Sequence, residues 1–115
     1  MSWKLKVSEK FQAAHFLKGY RGKCEKIHGH TFKVEVEIEI ANLDSRGISI
    51  DFNEIKEKLA SILPDHKFLN EVYDFNPSAE NLAQHFFHEL KAHFPLKKVT
   101  VWESDNASAT YSESS

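Results

Sequence analysis

The tripeptide His28-Gly29-His30 is the part of this chain most able to do chemistry. Both histidines share the even-numbered parity of Phe32 and Val34, so a strand beginning at His28 points both imidazoles to the same face as those apolar residues. Paired imidazoles on one face suit a zinc ion, which takes nitrogen ligands at about 2.0 to 2.1 Å. His15, after Ala13-Ala14 at the end of the first apolar-alternating segment, is the third candidate, since that segment can lie beside the second. Three histidines with an open fourth position describe a catalytic zinc site rather than a structural one. The plain alternative for His28 and His30 is a pair of strand-end histidines hydrogen-bonded to backbone.

Four further positions carry reactive groups. Cys24, the only cysteine, lies four residues before His28 on a glycine-bearing loop with Lys23 and Lys26 beside it. A lone cysteine is ordinarily a small buried hydrophobe, but neighbouring positive charge favours its thiolate, as a fourth ligand or as a base beside a metal. Asp65-His66 follows Pro64; an Asp can hold an imidazole by hydrogen bond and make it a base, if the two side chains touch. Glu103 keeps the odd parity of Val99 and Val101 and should face inward with them. A buried carboxylate needs a partner, and a ligand with two coplanar N–H donors would serve; otherwise Glu103 turns to water or pairs with a lysine. His85, His88 and His93 fall among Gln84, Glu89 and Lys91, which reads as a solvated helix face.

The elements that position these groups follow from periodicity. Trp3, Leu5 and Val7 alternate with Lys4, Lys6 and Ser8, which predicts a strand continuing to Phe11, with room for a bulge at Glu9-Lys10. Lys18 to Lys26, with Gly19 and Gly22, predicts a loop. Phe32, Val34, Val36, Ile38 and Ile40 alternate with Lys33, Glu35, Glu37 and Glu39, giving a strand with one buried face. Gly47 predicts a turn, and Ile48 with Ile50 a short further strand. Two helices follow. The first is capped by Asp51 or Asn53, carries Ile55 and Leu59 with Ile62 or Leu63, and stops at Pro64; the second is capped by Ser78 and carries Leu82, Phe86 and Leu90. Val99 and Val101 open another strand, Ala107 to Tyr111 returns beside it, and the serine-rich tail from Ser112 frays. Strands at both ends with helices between predict a single α+β domain, an antiparallel sheet covered on one face. A long strand in so small a sheet leaves edges that pairing with other subunits would remove.

Composition narrows the class. The 115 residues are 41% hydrophobic and 28% charged, with a net charge of -2, which fits a globular domain and points away from nucleic acid. No stretch approaches the roughly 18 to 20 apolar residues of a membrane span, and the N-terminus lacks the apolar core of a secretory signal. With one cysteine no intrachain disulfide forms, so the cytoplasm is the expected compartment.

Taken in order, Phe11-Gln12-Ala13-Ala14-His15, Cys24-Glu25-Lys26-Ile27-His28-Gly29-His30, Asp51-Phe52, Asp65-His66-Lys67-Phe68-Leu69-Asn70, Pro77-Ser78-Ala79-Glu80-Asn81-Leu82-Ala83 and Glu103 with Tyr111 resemble the 6-pyruvoyltetrahydropterin synthase family over essentially the whole chain. The spacing of Cys24 from His28 resembles its bacterial branch, the 6-carboxy-5,6,7,8-tetrahydropterin synthases. The resemblance implies the tunnelling fold: a four-stranded antiparallel sheet with two helices between its strand pairs. It further implies trimers that close a barrel and stack in pairs as a hexamer, with active sites between subunits. It implies zinc on His15, His28 and His30, Cys24 as base, Asp65 and His66 as proton-relay partners, and Glu103 as the anchor of the pterin ring. The implied substrate is 7,8-dihydroneopterin triphosphate, turned into 6-carboxytetrahydropterin with loss of acetaldehyde and triphosphate on the queuosine (7-deazaguanine) route. Lys18, Arg21, Lys23 and Lys26 are candidates for its phosphates, with a solvated basic loop as the alternative.

Two departures stand out. Glu25 directly follows Cys24, and a related branch that makes 6-hydroxymethyldihydropterin for folate resembles this chain in having a Glu three residues before His-Gly-His. This chain carries both residues, so Glu25 is a second candidate for contact with the substrate side chain. Ser104 stands where many relatives have Thr after the anchoring Glu; the hydroxyl is kept. The competing class is a non-catalytic zinc- or pterin-binding domain that kept the fold, which loss of Cys24 or of Asp65-His66 would have favoured.

Overall fold

The computed structural model describes residues 2–19 and 26–113. Cys24 and Glu25, together with Arg21 and Lys23, lie outside the described residues. The elements run β1 (Trp3–His15), β2 (His28–Ile40), α1 (Phe52–Ile62), β3 (Lys67–Phe68), α2 (Leu69–Val72), α3 (Ala79–Leu90), β4 (Leu96–Ser104) and β5 (Ala107–Ser112). They form one five-stranded sheet of order β3-β1-β2-β4-β5. Four strands are the antiparallel set expected from the sequence; the fifth is β3, two residues that pair parallel with Ala13 and Ala14. Neither β3 nor the single turn α2 is long enough to show a period in the sequence.

β1 and β2 pair antiparallel along their whole length, from Trp3 opposite Ile40 to His15 opposite His28. The register is unbroken at Glu9 and Lys10, so the anticipated bulge is absent and the odd parity of β1 persists to His15. Because side chains alternate, Val7, Phe11 and Ala13 of β1 face inward with Phe32, Val34, Val36 and Ile38 of β2. α1 and α3 cover that face with Ile55, Leu59, Leu82, Ala83, Phe86, Phe87 and Leu90, all buried. Asp51 caps α1, accepting from the Asn53 N–H, and Ser78 caps α3, accepting from Asn81. The rings of Phe11 and Phe32 stack with centroids 5.0 Å apart, and Phe86 meets Phe11 edge-on at 6.1 Å.

The strand anticipated at Ile48 and Ile50 does not form. Asp44 captures that segment instead: its Oδ1 accepts from the Arg46 and Ile48 N–H groups, and its own N–H donates to the Ile48 carbonyl at 2.7 Å. A side chain that satisfies local backbone donors competes with a ladder, and here it wins. Two irregularities do occur in the sheet, between Glu37 and Ile38 of β2 against β4, and between Trp102 and Ser104 of β4 against β5.

His93, expected on the second helix, lies beyond its end in the following turn. Among the described residues no helix is long and apolar enough to cross a membrane.

Phe32 joins the core to the histidines, since His15 and His30 stand edge-on against it at 5.3 and 5.5 Å. Phe32→Ala should cost about 3 to 5 kcal/mol, the usual range for emptying a buried aromatic site. Urea unfolding measures this; a loss below about 1 kcal/mol would show that this ring does not carry the layer.

Candidate metal centre

Three strand-end histidines meet because the β1–β2 register brings them together. His15 ends β1, His28 begins β2 directly opposite it, and His30 lies opposite Ala13. His15 is completely buried. Its Nδ1 is 2.7 Å from the Pro77 carbonyl. A carbonyl only accepts, so Nδ1 carries the proton and Nε2 keeps a lone pair. His28 is fixed in the same way, its Nδ1–H donating to the Lys26 carbonyl at 2.7 Å. The two Nε2 atoms then face one another at 3.1 Å, lone pair toward lone pair. That contact is repulsive unless a cation lies between them.

His30 completes the triangle, its ring centroid 4.5 Å from that of His28 and 5.2 Å from that of His15. Its Nε2 is buried and has no hydrogen-bond partner, although Glu103 Oε1 is only 3.2 Å away. Burial lowers the pKa of His15 and of His30, with the Glu103 charge opposing the shift in each case. Desolvation therefore favours the neutral, metal-binding form. One donor atom from each of His15, His28, His30 and Glu103 lies within 4.8 Å of all the others. Two tetrahedral ligands with bonds of about 2.0 to 2.1 Å are roughly 3.3 to 3.4 Å apart, so the contacts of 3.1 and 3.2 Å are close to edges of such a shell. The orphaned His30 nitrogen and the facing lone pairs fit a cation held by nitrogen and oxygen donors. This is the one such cluster among the described residues. His85 pairs with Glu89 and His88 with Glu113 instead.

Asp65 and His66 do touch. His66 Nδ1 is 2.9 Å from Asp65 Oδ2, so an Nδ1–H donates there and leaves Nε2 free. The turn is docked on β1: the Gln12 N–H donates to Asp65 Oδ1 at 2.8 Å, and the His66 N–H donates to the Gln12 carbonyl at 2.6 Å. The Gln12 bond leads the causes that hold the Asp65 carboxyl below its ordinary range. His66 has φ of +58°, a left-handed conformation uncommon outside glycine. The pair is not part of the metal cluster. Its His66 borders an open groove of about 610 Å³ lined also by Gln12, Ala14, Gly29, His30 and Phe68 among others.

Gly29 has an ordinary strand conformation, and a Cβ there would meet only the Ala13 carbonyl at 3.9 Å. Its contribution is room in that groove. Ser104 is placed apart from the cluster: its Oγ–H donates to Asn106 Oδ1 at 2.9 Å, and it borders a second cavity with Lys10, Lys33 and Trp102. The roles of Cys24 and Glu25 fall outside the described residues.

Nothing in the sequence marks the groups that aim the rings. The Pro77 and Lys26 carbonyls have no signature of their own. Asn70 holds the chain just after His15, accepting from the Phe16 N–H at 2.9 Å and donating to the Phe16 carbonyl at 3.0 Å. Asn76 does the same for Lys18, at 2.9 and 3.2 Å. A strand partner would supply these same bonds. The asparagines stand near a turn and a helix cap, and that position gave the only available signal.

The family model for 6-pyruvoyl tetrahydropterin synthase matches residues 4–114. A relative from Archaeoglobus fulgidus, described as a putative 6-carboxy-5,6,7,8-tetrahydropterin synthase, is 36% identical over 103 residues, covering 87% of each chain. A second, dihydroneopterin monophosphate aldolase from Pyrococcus furiosus, is 33% identical over 101 residues, covering 83% of this chain and 84% of that protein. Among solved structures, the 6-pyruvoyl tetrahydropterin synthase of Caenorhabditis elegans superposes with a TM-score of 0.87 at 26% identity, over 99% of this chain and 97% of that one. With the family model spanning nearly the whole sequence and the same fold in a solved member, the chain belongs to the 6-pyruvoyl tetrahydropterin synthase family.

Proposed function

We propose that this pterin synthase-family enzyme is a zinc-dependent carbon–carbon lyase. It converts 7,8-dihydroneopterin triphosphate to 6-carboxy-5,6,7,8-tetrahydropterin, releasing acetaldehyde and triphosphate, on the queuosine (7-deazaguanine) route. The observation that carries the metal requirement is the pair of facing His15 and His28 Nε2 atoms beside the orphaned His30 Nε2. Zinc suits three imidazoles with a fourth tetrahedral position. When bound, it polarises side-chain oxygens of the substrate and so acidifies the adjacent C–H.

The chain's own residues bind the substrate and move its protons. Glu103 accepts two N–H bonds from the pterin ring and fixes its orientation, a charge-assisted pairing that a neutral side chain makes less well. Cys24, as thiolate, takes a proton from the substrate side chain. His66 accepts or returns protons through the Nε2 that its bond to Asp65 leaves free. The Asp65–His66 hydrogen bond favours catalysis over the non-catalytic binding domain, because a binding domain has no use for an oriented base. Ser104 and the basic side chains of Lys18, Arg21, Lys23 and Lys26 supply further polar contacts to the substrate.

A second reading concerns the product. The aldolase relative and the adjacent Cys24-Glu25 support formation of 6-hydroxymethyl-7,8-dihydropterin for folate, with Glu25 accepting a side-chain hydroxyl proton to promote retro-aldol cleavage. 6-Pyruvoyltetrahydropterin is the third product the family name allows. The carboxy product is favoured by Cys24 at its four-residue spacing from His28.

We place the enzyme in the cytoplasm as a hexamer of two stacked trimers. Among the described residues, no strand pairs with the outer edge of β1 from Trp3 to Phe11. That edge would be covered by a neighbouring subunit.

Metal analysis of His28→Ala and His30→Ala should show zinc lost from both, and full retention in both would overturn the assignment. Incubation with dihydroneopterin triphosphate, followed by product identification, tests the reaction. Wild type should yield mainly the carboxy product, and Cys24→Ala should lose it while still binding pterin. If Glu25 acts, Cys24→Ala retains hydroxymethyl product and Glu25→Ala makes none; absence of that product from wild type would make Glu25 an ordinary loop residue.

A further inference from the structure

Glu103 occupies a position that a pterin anchor alone does not explain. In the β4–β5 register Trp102 lies opposite Ser108 and Ser104 opposite Ala107, so Glu103 is an extra residue with no cross-strand partner. Its carboxylate keeps the inward parity of Val99 and Val101 and meets the histidines: Oε1 is 3.2 Å from His30 Nε2, and its donor oxygen lies within 4.8 Å of all three imidazole donors. Its contact with His30 is the only ion pair it makes among the described residues.

We infer that Glu103 is the fourth ligand of the empty enzyme's metal, and that a pterin ring displaces it. Three imidazoles and one carboxylate oxygen complete a tetrahedral shell, so the resting centre is closed. The role proposed above gives the same carboxylate to the two N–H groups of the pterin, and this inference rests on that reading. Accepting two parallel N–H bonds uses both carboxylate oxygens, and an oxygen that shares its charge with the metal accepts such a bond more weakly than a free one. Binding the ring therefore draws Glu103 off the metal and opens the position that the substrate's side-chain oxygens require. The centre stays closed until the correct ring is seated.

Cobalt(II) substitution reads this directly, because its visible bands report the ligand set. Wild type and Glu103→Gln are loaded with cobalt(II), affinity is measured by chelator competition, and each is titrated with pterin while ring binding is followed by fluorescence. Wild-type bands should change in step with pterin binding. Glu103→Gln should bind cobalt(II) at least tenfold more weakly, with bands altered before any pterin is added. Equal affinity within twofold and identical bands in the two proteins would overturn the ligand assignment. Wild-type bands that stay fixed while pterin binds would overturn the displacement. Failure of wild type to bind pterin at all would overturn the displacement and the pterin-anchoring role together, while the chelator competition would still decide whether Glu103 is a ligand. The wild-type titration depends on no variant's folding.

Discussion

The site depends on a repulsion that the backbone enforces. Two imidazole nitrogens with exposed lone pairs would ordinarily turn apart. They face each other at 3.1 Å because the Pro77 and Lys26 carbonyls each take a proton from the far side of a ring. A hydrogen bond from the far ring nitrogen to a backbone carbonyl sets the tautomer and the aim of a metal-binding histidine. The cost of holding the lone pairs together is met in folding, so a cation that enters finds its ligands already placed.

Holding that arrangement requires rigid surroundings, and each part of the fold supplies some of them. The unbroken β1–β2 ladder sets His15 opposite His28. The Phe11–Phe32 stack, backed by Phe86, forms the floor under His15 and His30. Helix α3 contributes less directly: the segment leading into its Ser78 cap carries the Pro77 carbonyl. Asn70 and Asn76 replace a strand partner where β1 has ended, and keep the chain after His15 from drifting. The neutral core and the polar site are thus one packing problem.

What could be read in advance was what obeys a short period. The parity of His15, His28, His30 and Glu103 with neighbouring apolar residues follows from side-chain alternation, and the pairing preserves it. The helices and their caps at Asp51 and Ser78 were legible for the same local reasons. Contacts between distant segments were not: His15 and Pro77 are 62 residues apart in sequence, and nothing in either residue announces the other. The strand anticipated at Ile48 and Ile50 failed because Asp44, four residues earlier, bound its backbone.

The most direct test is a crystal structure of the protein as purified, with anomalous diffraction collected on either side of the zinc absorption edge. The account predicts one strong peak present only above the edge, about 2.0 to 2.1 Å from Nε2 of each of His15, His28 and His30. A density with no zinc signal, or His15 and His28 turned apart with their nitrogens on separate water molecules, would contradict it.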